Sequence, residues 1–188
     1  MKYAIYIFTL LFALTFTSCE DFLDVNTDPN NPVEVTPDLI LPVGQVFTAK
    51  YMQEDRGVNH LGNMMMFNWG ESYGFSWYDD EFQYRVTTTF YDGLWDGLYE
   101  DAMKQYSDLD DLAPEYSNYT AIGKIMKVFC FQILVDLYGD IPYSEALQRG
   151  EIPTPVYDDA ETIYLDLLNE LTEAVRLINS AEEGITEE

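Results

Sequence analysis

The chain reads as an all-α protein, and three observations lead there. Apolar residues recur at helical spacing over four long stretches, proline and glycine mark the breaks between them, and no stretch alternates apolar and polar residues as a half-buried strand would. Its 188 residues are 47% hydrophobic and 15% aromatic, enough for one moderate core, so a single domain or part of a larger one is expected over 36–188. Nine basic residues against 34 acidic leave a net charge of −25, which repels a phosphate backbone and argues against nucleic acid as a partner.

Residues 1–18 read as a targeting segment. Lys2 is followed by mostly apolar residues from Tyr3 to Phe16, too few to span a bilayer as a stable helix, and then by small Thr17 and Ser18 before Cys19. A small-residue pair directly before a cysteine resembles the lipobox of bacterial lipoproteins, in which Cys19 becomes the acylated first residue of the mature chain. Phe16 stands where that box usually has a smaller aliphatic residue, and an ordinary signal peptide that leaves Cys19 as a thiol is the alternative. Acyl chains contribute about 0.8 kcal/mol per buried methylene, so more than one makes a durable lipid anchor. Residues 19–35 then form an acidic, turn-rich tether. Asp24, Asn26, Asp28 and Asn30 imitate the start of a calcium-binding loop, but Pro29 stands where the loop wants Gly and Val35 where it wants Glu, so no calcium site is expected.

The first long helix is predicted from Thr36 as N-cap, with Pro37 in the first turn, to about Asp55, its apolar stripe being Leu39, Val43, Val46, Phe47 and Tyr51. A short helical piece follows at Asn59 to Met66, where Met64, Met65 and Met66 read as adaptable packing. The second long helix is expected from Thr87 to Leu112, with Tyr91, Leu94, Leu98, Ala102, Tyr106 and Leu109 on one stripe. Gly93 and Gly97 lie on another face, and since each costs a helix about 1 kcal/mol relative to Ala, they imply a close neighbour.

The third helix, Ser117 to Tyr138, is apolar nearly all round and so should be central. Cys130, between Phe129 and Phe131, reads as a buried packing residue without a disulfide partner, while Lys124, Lys127, Gln132 and Asp136 exclude a membrane span. The helix must stop within Asp136–Tyr143, the sequence DLYGDIPY, because Gly139 offers positive φ and Pro142 disfavours α at Ile141. Tyr138, Ile141 and Tyr143 should fold this turn back on its helices, with Asp136 and Asp140 capping backbone N–H groups. Arg149–Pro155 reads as an extended loop. A fourth helix is expected from Asp158 as N-cap with Glu161 at N3, on a stripe of Tyr164, Leu167/Leu168, Leu171, Ala174/Val175 and Ile178.

The residues most suited to binding fall in Phe67–Phe82, which holds seven aromatics in sixteen residues. Flat rings offer an apolar face to the C–H side of a sugar while carboxylates take hydroxyls, so Trp69, Tyr73, Trp77 and Tyr78 beside Asp79 and Asp80 form the candidate ligand site. The competing reading, in which these rings pack onto the second and third helices, is the stronger on composition because large aromatics are usually well buried. Gly70-Glu71-Ser72-Tyr73-Gly74 matches a nucleophile elbow, but the lone histidine, His60, precedes Ser72 and no parallel sheet is expected, so no catalytic residues are assigned. Carboxylate pairs such as Asp79/Asp80 or Asp136/Asp140 arise by chance among 34 acids. One His and one cysteine besides Cys19 leave no transition-metal cluster.

Three segments together resemble the N-terminal part of the SusD/RagB family of outer-membrane nutrient-binding lipoproteins, in its SusD-like branch. They are Cys19-Glu20-Asp21-Phe22-Leu23-Asp24 after the signal, the third helix running into DLYGDIPYSEAL at Asp136–Leu147, and Pro-Val-Tyr-Asp at Pro155–Asp158. The resemblance implies a scaffold of tetratricopeptide-like helix pairs whose long inserted loops build a ligand surface. It also implies a non-enzymatic, cofactor-free lipoprotein on the outer face of the outer membrane, which binds a glycan or other oligomeric nutrient and delivers it to a SusC-like TonB-dependent transporter. Family members are considerably longer, so the chain is expected to be a truncated SusD-like scaffold or a gene fragment. A surface glycoside hydrolase and a helical-repeat adaptor that binds only protein are the rival functions.

Overall fold

A computed structural model describes residues 36–110, 112, 114–148 and 151–180. The signal segment, Cys19, the tether with its calcium-like spacing, and Arg149 and Gly150 lie outside the described residues. In chain order the elements are α1 (Pro37–Gln53), α2 (Val58–Met65), the single turn α3 (Asp79–Phe82), α4 (Asp92–Asp96), a π-helical segment (Gly97–Met103), α5 (Lys104–Ser107), a 3-10 turn (Pro114–Tyr116), α6 (Ser117–Tyr138), β1 (Ile141–Pro142), β2 (Tyr157–Asp158) and α7 (Ala160–Ser180). Among the described residues the fold is all-α apart from one two-residue ladder.

Pro37 opens α1 as expected, although Thr36 makes no capping bond through its hydroxyl. The buried face of α1 is the predicted one only in part: Tyr51 is buried and Phe47 packs against the core as expected, but the rest of the face is turned. Leu41, Gly44, Thr48 and Tyr51 point inward, whereas Leu39, Val43 and Val46 are exposed. Close approach decided this. A Cβ on Gly44 would lie 2.6 Å from Cε1 of Tyr106, so only a residue without one lets that ring settle against α1. Thr48 then reaches the Tyr106 hydroxyl at 2.8 Å and Cys130 Sγ at 3.9 Å. Small and polar residues with matched partners outweighed the more hydrophobic neighbouring stripe.

The helix predicted over Thr87–Leu112 is shorter at both ends. Tyr91 takes a left-handed conformation (φ 59°) that starts α4 one residue later, and three-residue turns at Asp108, Leu109 and Asp110 replace the last α turn. Inside it, the π segment adds a residue to one turn, so that Leu98, Ala102, Met103 and Tyr106 all reach the core. Gly97 has the expected close neighbour: an added Cβ would lie 2.0 Å from Cζ of Tyr51. Gly93 does not, since nothing lies within 4 Å of its Cβ position.

α6 has the predicted bounds and is central, packing along α7 and touching α1, the π segment and α5. Phe129 and Leu137 nevertheless face solvent. Cys130 is fully buried, and burial pushes its thiol up to about 12. On α7 the predicted Leu167 and Ala174 are buried together with Ile163, while the predicted Leu168, Val175 and Ile178 are exposed. Among the described residues no helix is long and apolar enough to cross a membrane.

DLYGDIPY folds back as expected. Gly139 (φ 78°) donates to the Val135 carbonyl at 2.9 Å and ends α6. Pro142 keeps Ile141 extended, and Ile141 and Pro142 pair antiparallel with Asp158 and Tyr157, a ladder too short for alternation to announce. Tyr99 donates to the Pro142 carbonyl at 2.5 Å and Tyr143 to Asp166 at 2.8 Å. Two capping expectations change. Asp158 sits in β2 and accepts from the backbone N–H groups of Tyr143 and Ser144, while Asp159 caps α7 through the Thr162 N–H at 3.1 Å. Asp140 accepts from Ala160 N–H, so it serves the start of α7 rather than the end of α6, and Asp136 instead accepts from the Tyr164 hydroxyl. The Asp158 carboxyl is held below the usual range, chiefly by the Ser144 N–H.

Candidate functional site

The chain between Met65 and Asp92 holds only the single turn α3, and in 67–77 it carries its rings outward. Trp69 is 46% exposed, Phe75 64%, Trp77 73% and Tyr73 fully so, which overturns the expectation that these rings pack onto the second and third predicted helices. No ring settles on the segment's own glycines: nothing lies within 4 Å of the Cβ positions of Gly70 and Gly74, in contrast to Gly44 and Gly97. What orders it is polar. Glu71 accepts through one oxygen from the N–H groups of Trp77 (2.7 Å) and Tyr78 (2.9 Å), closing 71–78 into a loop. At its tip the Phe75 N–H bonds the Ser72 carbonyl at 3.1 Å, and Gly74 (φ 89°) supplies the positive φ that this turn requires.

Below the loop, one oxygen of Asp55 accepts from the Tyr78 hydroxyl at 2.9 Å and lies 3.2 Å from Nδ1 of His60. That hydrogen bond raises the Tyr78 hydroxyl above its usual range. The imidazole packs edge-on to Trp69 (5.7 Å, 77°) and tilted against Tyr78 (4.5 Å, 54°). His60, Trp69, Glu71, Phe75, Trp77 and Tyr78 line a recess of about 360 Å³. The buried Nε2 of His60 has no hydrogen-bond partner among the described residues.

A second layer fixes this one. Glu81 is 1% exposed, accepts from the Tyr91 hydroxyl at 2.9 Å and lies 3.7 Å from Nε of Arg56, whose Nη2 reaches the Trp77 carbonyl at 3.4 Å. Burial, then the Glu81 bond, pushes the Tyr91 hydroxyl well above the ordinary tyrosine range. Arg56, Phe67, Tyr84 and Tyr91 all hold left-handed φ between 53° and 59°, a conformation costing roughly 1–3 kcal/mol at non-glycine residues and concentrated here around the loop.

Of the six predicted ligand residues, Trp69, Trp77 and Tyr78 share the recess. Tyr73 stands outside it on the loop tip. Asp79 and Asp80 do not line it either: Asp79 accepts from the Ser76 hydroxyl at 2.6 Å, and Asp80 pairs with Arg85 at 2.8 Å. His60, Asp55 and Glu71 take the polar places that sequence reasoning gave to those two acids. His60 was legible as the only histidine; Glu71 was visible only inside the G-x-S-x-G match. That elbow is not formed, because Ser72 lies on an irregular turn with no strand before it and no helix directly after it. Among the described residues no three of His, Cys, Asp or Glu are grouped to hold a metal ion.

The arrangement can stack an apolar ring face on Trp69 or Trp77 and bind polar groups at Glu71. The comparisons with known proteins agree with a scaffold of this kind. A family described as starch-binding, associating with the outer membrane, matches residues 29–188. Among solved structures, a chitin-binding protein is similar at a TM-score of 0.63 and 28% identity, over 78% of this chain and 32% of its own. The chain thus spans about a third of that protein, sharing its helical, tetratricopeptide-like scaffold. No curated protein matches. With a family match over residues 29–188 and the same helical scaffold beneath it, the chain belongs to the SusD-like family.

Proposed function

We propose that this chain is a lipid-anchored, non-enzymatic component of the outer membrane that binds glycan on the cell surface and delivers it to a SusC-like TonB-dependent transporter. The observation that carries the reading is the exposed aromatic loop: Trp69 and Trp77 stand exposed around a recess that the Glu71 carboxylate also lines. Such a surface suits a pyranose, whose C–H face stacks while its hydroxyls find acceptors. Membership of a family described as starch-binding, and likeness to a chitin-binding protein, support a glycan as the ligand class. Cys19 would carry the acyl chains.

Retention of the purified protein on immobilised starch or chitin tests the binding step. Retention should drop at least about tenfold in Trp77→Ala and Trp69→Ala, each a loss of one stacking platform. Retention unchanged in both variants would remove the loop as the site, and no retention on any polysaccharide would favour a protein-binding adaptor. Glycan cleavage abolished by a carboxylate-to-amide change would instead establish a hydrolase. Anchoring is tested separately: Cys19→Ala should move the protein out of the membrane fraction. Delivery requires co-purification with a TonB-dependent barrel from the native membrane.

A further inference from the structure

A second cleft, of about 670 Å³, opens on another part of the molecule, between 86–96, the end of α6 and β2. Its wall is aromatic. Trp95 and Tyr157 lie nearly parallel (22°, centroids 6.2 Å apart), and Tyr138 meets Trp95 edge-on at 5.1 Å. Tyr157 is 66% exposed, so its face is open to a ligand. The Tyr138 hydroxyl is already committed to the Tyr91 carbonyl at 3.0 Å, which leaves its ring rather than its oxygen to act in the cleft.

The rim carries Asp92 and Asp96, one helical turn apart on α4. Neither makes an ion pair or a side-chain hydrogen bond among the described residues, and no Lys or Arg lines the cleft. Both charges act on the same ring, since after burial they are what raises the Tyr138 hydroxyl above its usual range. This sets the cleft apart from the loop site, where Glu71, Asp55, Asp79 and Asp80 are all engaged by the protein's own donors. Two like charges at i, i+4 repel each other, and a cation placed between them relieves that cost. The same cation is attracted to the faces of Trp95 and Tyr157.

We infer that this cleft is a second ligand site, which takes a protonated primary amine carried on a sugar ring: the ring stacks on Trp95 and Tyr157, and the ammonium lies between Asp92 and Asp96. The sugar body in this statement rests on the proposed glycan function. The demand for a positive charge rests on the cleft alone. An N-acetylated sugar keeps the ring and loses the charge, so it stacks without the carboxylate contacts.

Binding of methyl glucosaminide and of methyl N-acetylglucosaminide to the whole protein, followed by tryptophan fluorescence and calorimetry at about pH 6, where an amine of this kind is protonated, tests the inference. A single amine per probe avoids multivalent attraction to the acidic chain. The free amine should bind at least about fivefold tighter than its acetylated form, as expected for a cation that meets exposed rings and unpaired carboxylates together. The preference should vanish in Asp92→Asn/Asp96→Asn. It should persist in Glu115→Gln/Glu161→Gln, which removes the same charge elsewhere, and in Trp77→Ala. Equal binding of the two sugars, or a preference that survives Asp92→Asn/Asp96→Asn, overturns the inference and leaves the glycan function standing. Binding of neither sugar also overturns it, and polysaccharide retention through Trp69 and Trp77 then judges the glycan function by itself.

Discussion

Two regions of this protein contain large aromatic residues and use them in opposite ways. In the core, Tyr51, Tyr106 and Phe131 are buried, and each of the two tyrosines lies against a glycine: Tyr51 on Gly97 and Tyr106 on Gly44. In the loop, Trp69, Tyr73, Phe75 and Trp77 stay exposed, and carboxylates rather than small residues hold the backbone that carries them. Ring content alone therefore does not decide burial. A ring goes inside where a facing backbone offers it a seat, and stays outside where the surrounding order comes from hydrogen bonds that keep the chain extended from the core.

The strongest way to break this contrast is to fill a seat. Gly97→Leu should lower the unfolding free energy by about 3 kcal/mol or more in urea titration, because its Cβ alone would lie 2.0 Å from the Tyr51 ring. Gly93→Ala, with no neighbour within 4 Å, should be neutral or raise stability by up to about 1 kcal/mol. If the two variants behave alike, the seats are not what buries the rings.

Alkali should act on the core first. Burial raises the tyrosine hydroxyls of Tyr91, Tyr99, Tyr106 and Tyr143, with Tyr106 pushed up to about 12 from 10.0. A raised folded value means the folded chain keeps protons that the unfolded chain gives up. This stabilisation is intact below pH 10 and falls away as the pH climbs from 10 through about 12. Chemical-denaturant midpoints measured across that range should decline, and a flat profile would contradict the burial. Cys130 should stay unreactive to thiol reagents until the same loss of structure, since its thiol is also raised.

A smaller effect is expected in the loop. Glu71→Ala leaves the N–H groups of Trp77 and Tyr78 without their acceptor, at a cost of about 1 kcal/mol, and those two amides should exchange with solvent faster while amides near Cys130 do not change. The smallest belongs to Tyr73, fully exposed on the tip, where Tyr73→Ala should shift stability by less than about 0.5 kcal/mol. A large loss there would mean that the loop packs after all.

Much of the scaffold was readable before any coordinates. Apolar periodicity located α1, α2, α6 and α7 within a few residues, since a helix that must bury one face repeats its apolar residues every turn. Gly139 and Pro142 stopped α6 at the expected place, because positive φ and a missing donor are local properties. Which face each helix buries was less legible. Leu39, Val43 and Val46 are more hydrophobic than Gly44 and Thr48, yet the latter face inward, and on α7 Ile163 is buried while Val175 and Ile178 are exposed. The π segment and the left-handed Tyr91 had no marker at all, for they arise from how α4 and α5 meet the rest of the core.

For the candidate site the division is sharper. Composition alone pointed to the aromatic loop and named Trp69, Trp77 and Tyr78, since rings in such number are hard to place elsewhere. The two acids it named do not line the recess. Asp79 and Asp80 are adjacent to the rings in sequence, but Ser76 and Arg85 engage them, whereas Asp55 and His60 come from earlier in the chain to support the recess. The sequence by itself determined the helices, their breaks and the family, because these depend on local periodicity and on short motifs. Only the tertiary structure decided which rings stay exposed and which carboxylates remain unpaired, because pairing and burial depend on residues far apart in the chain.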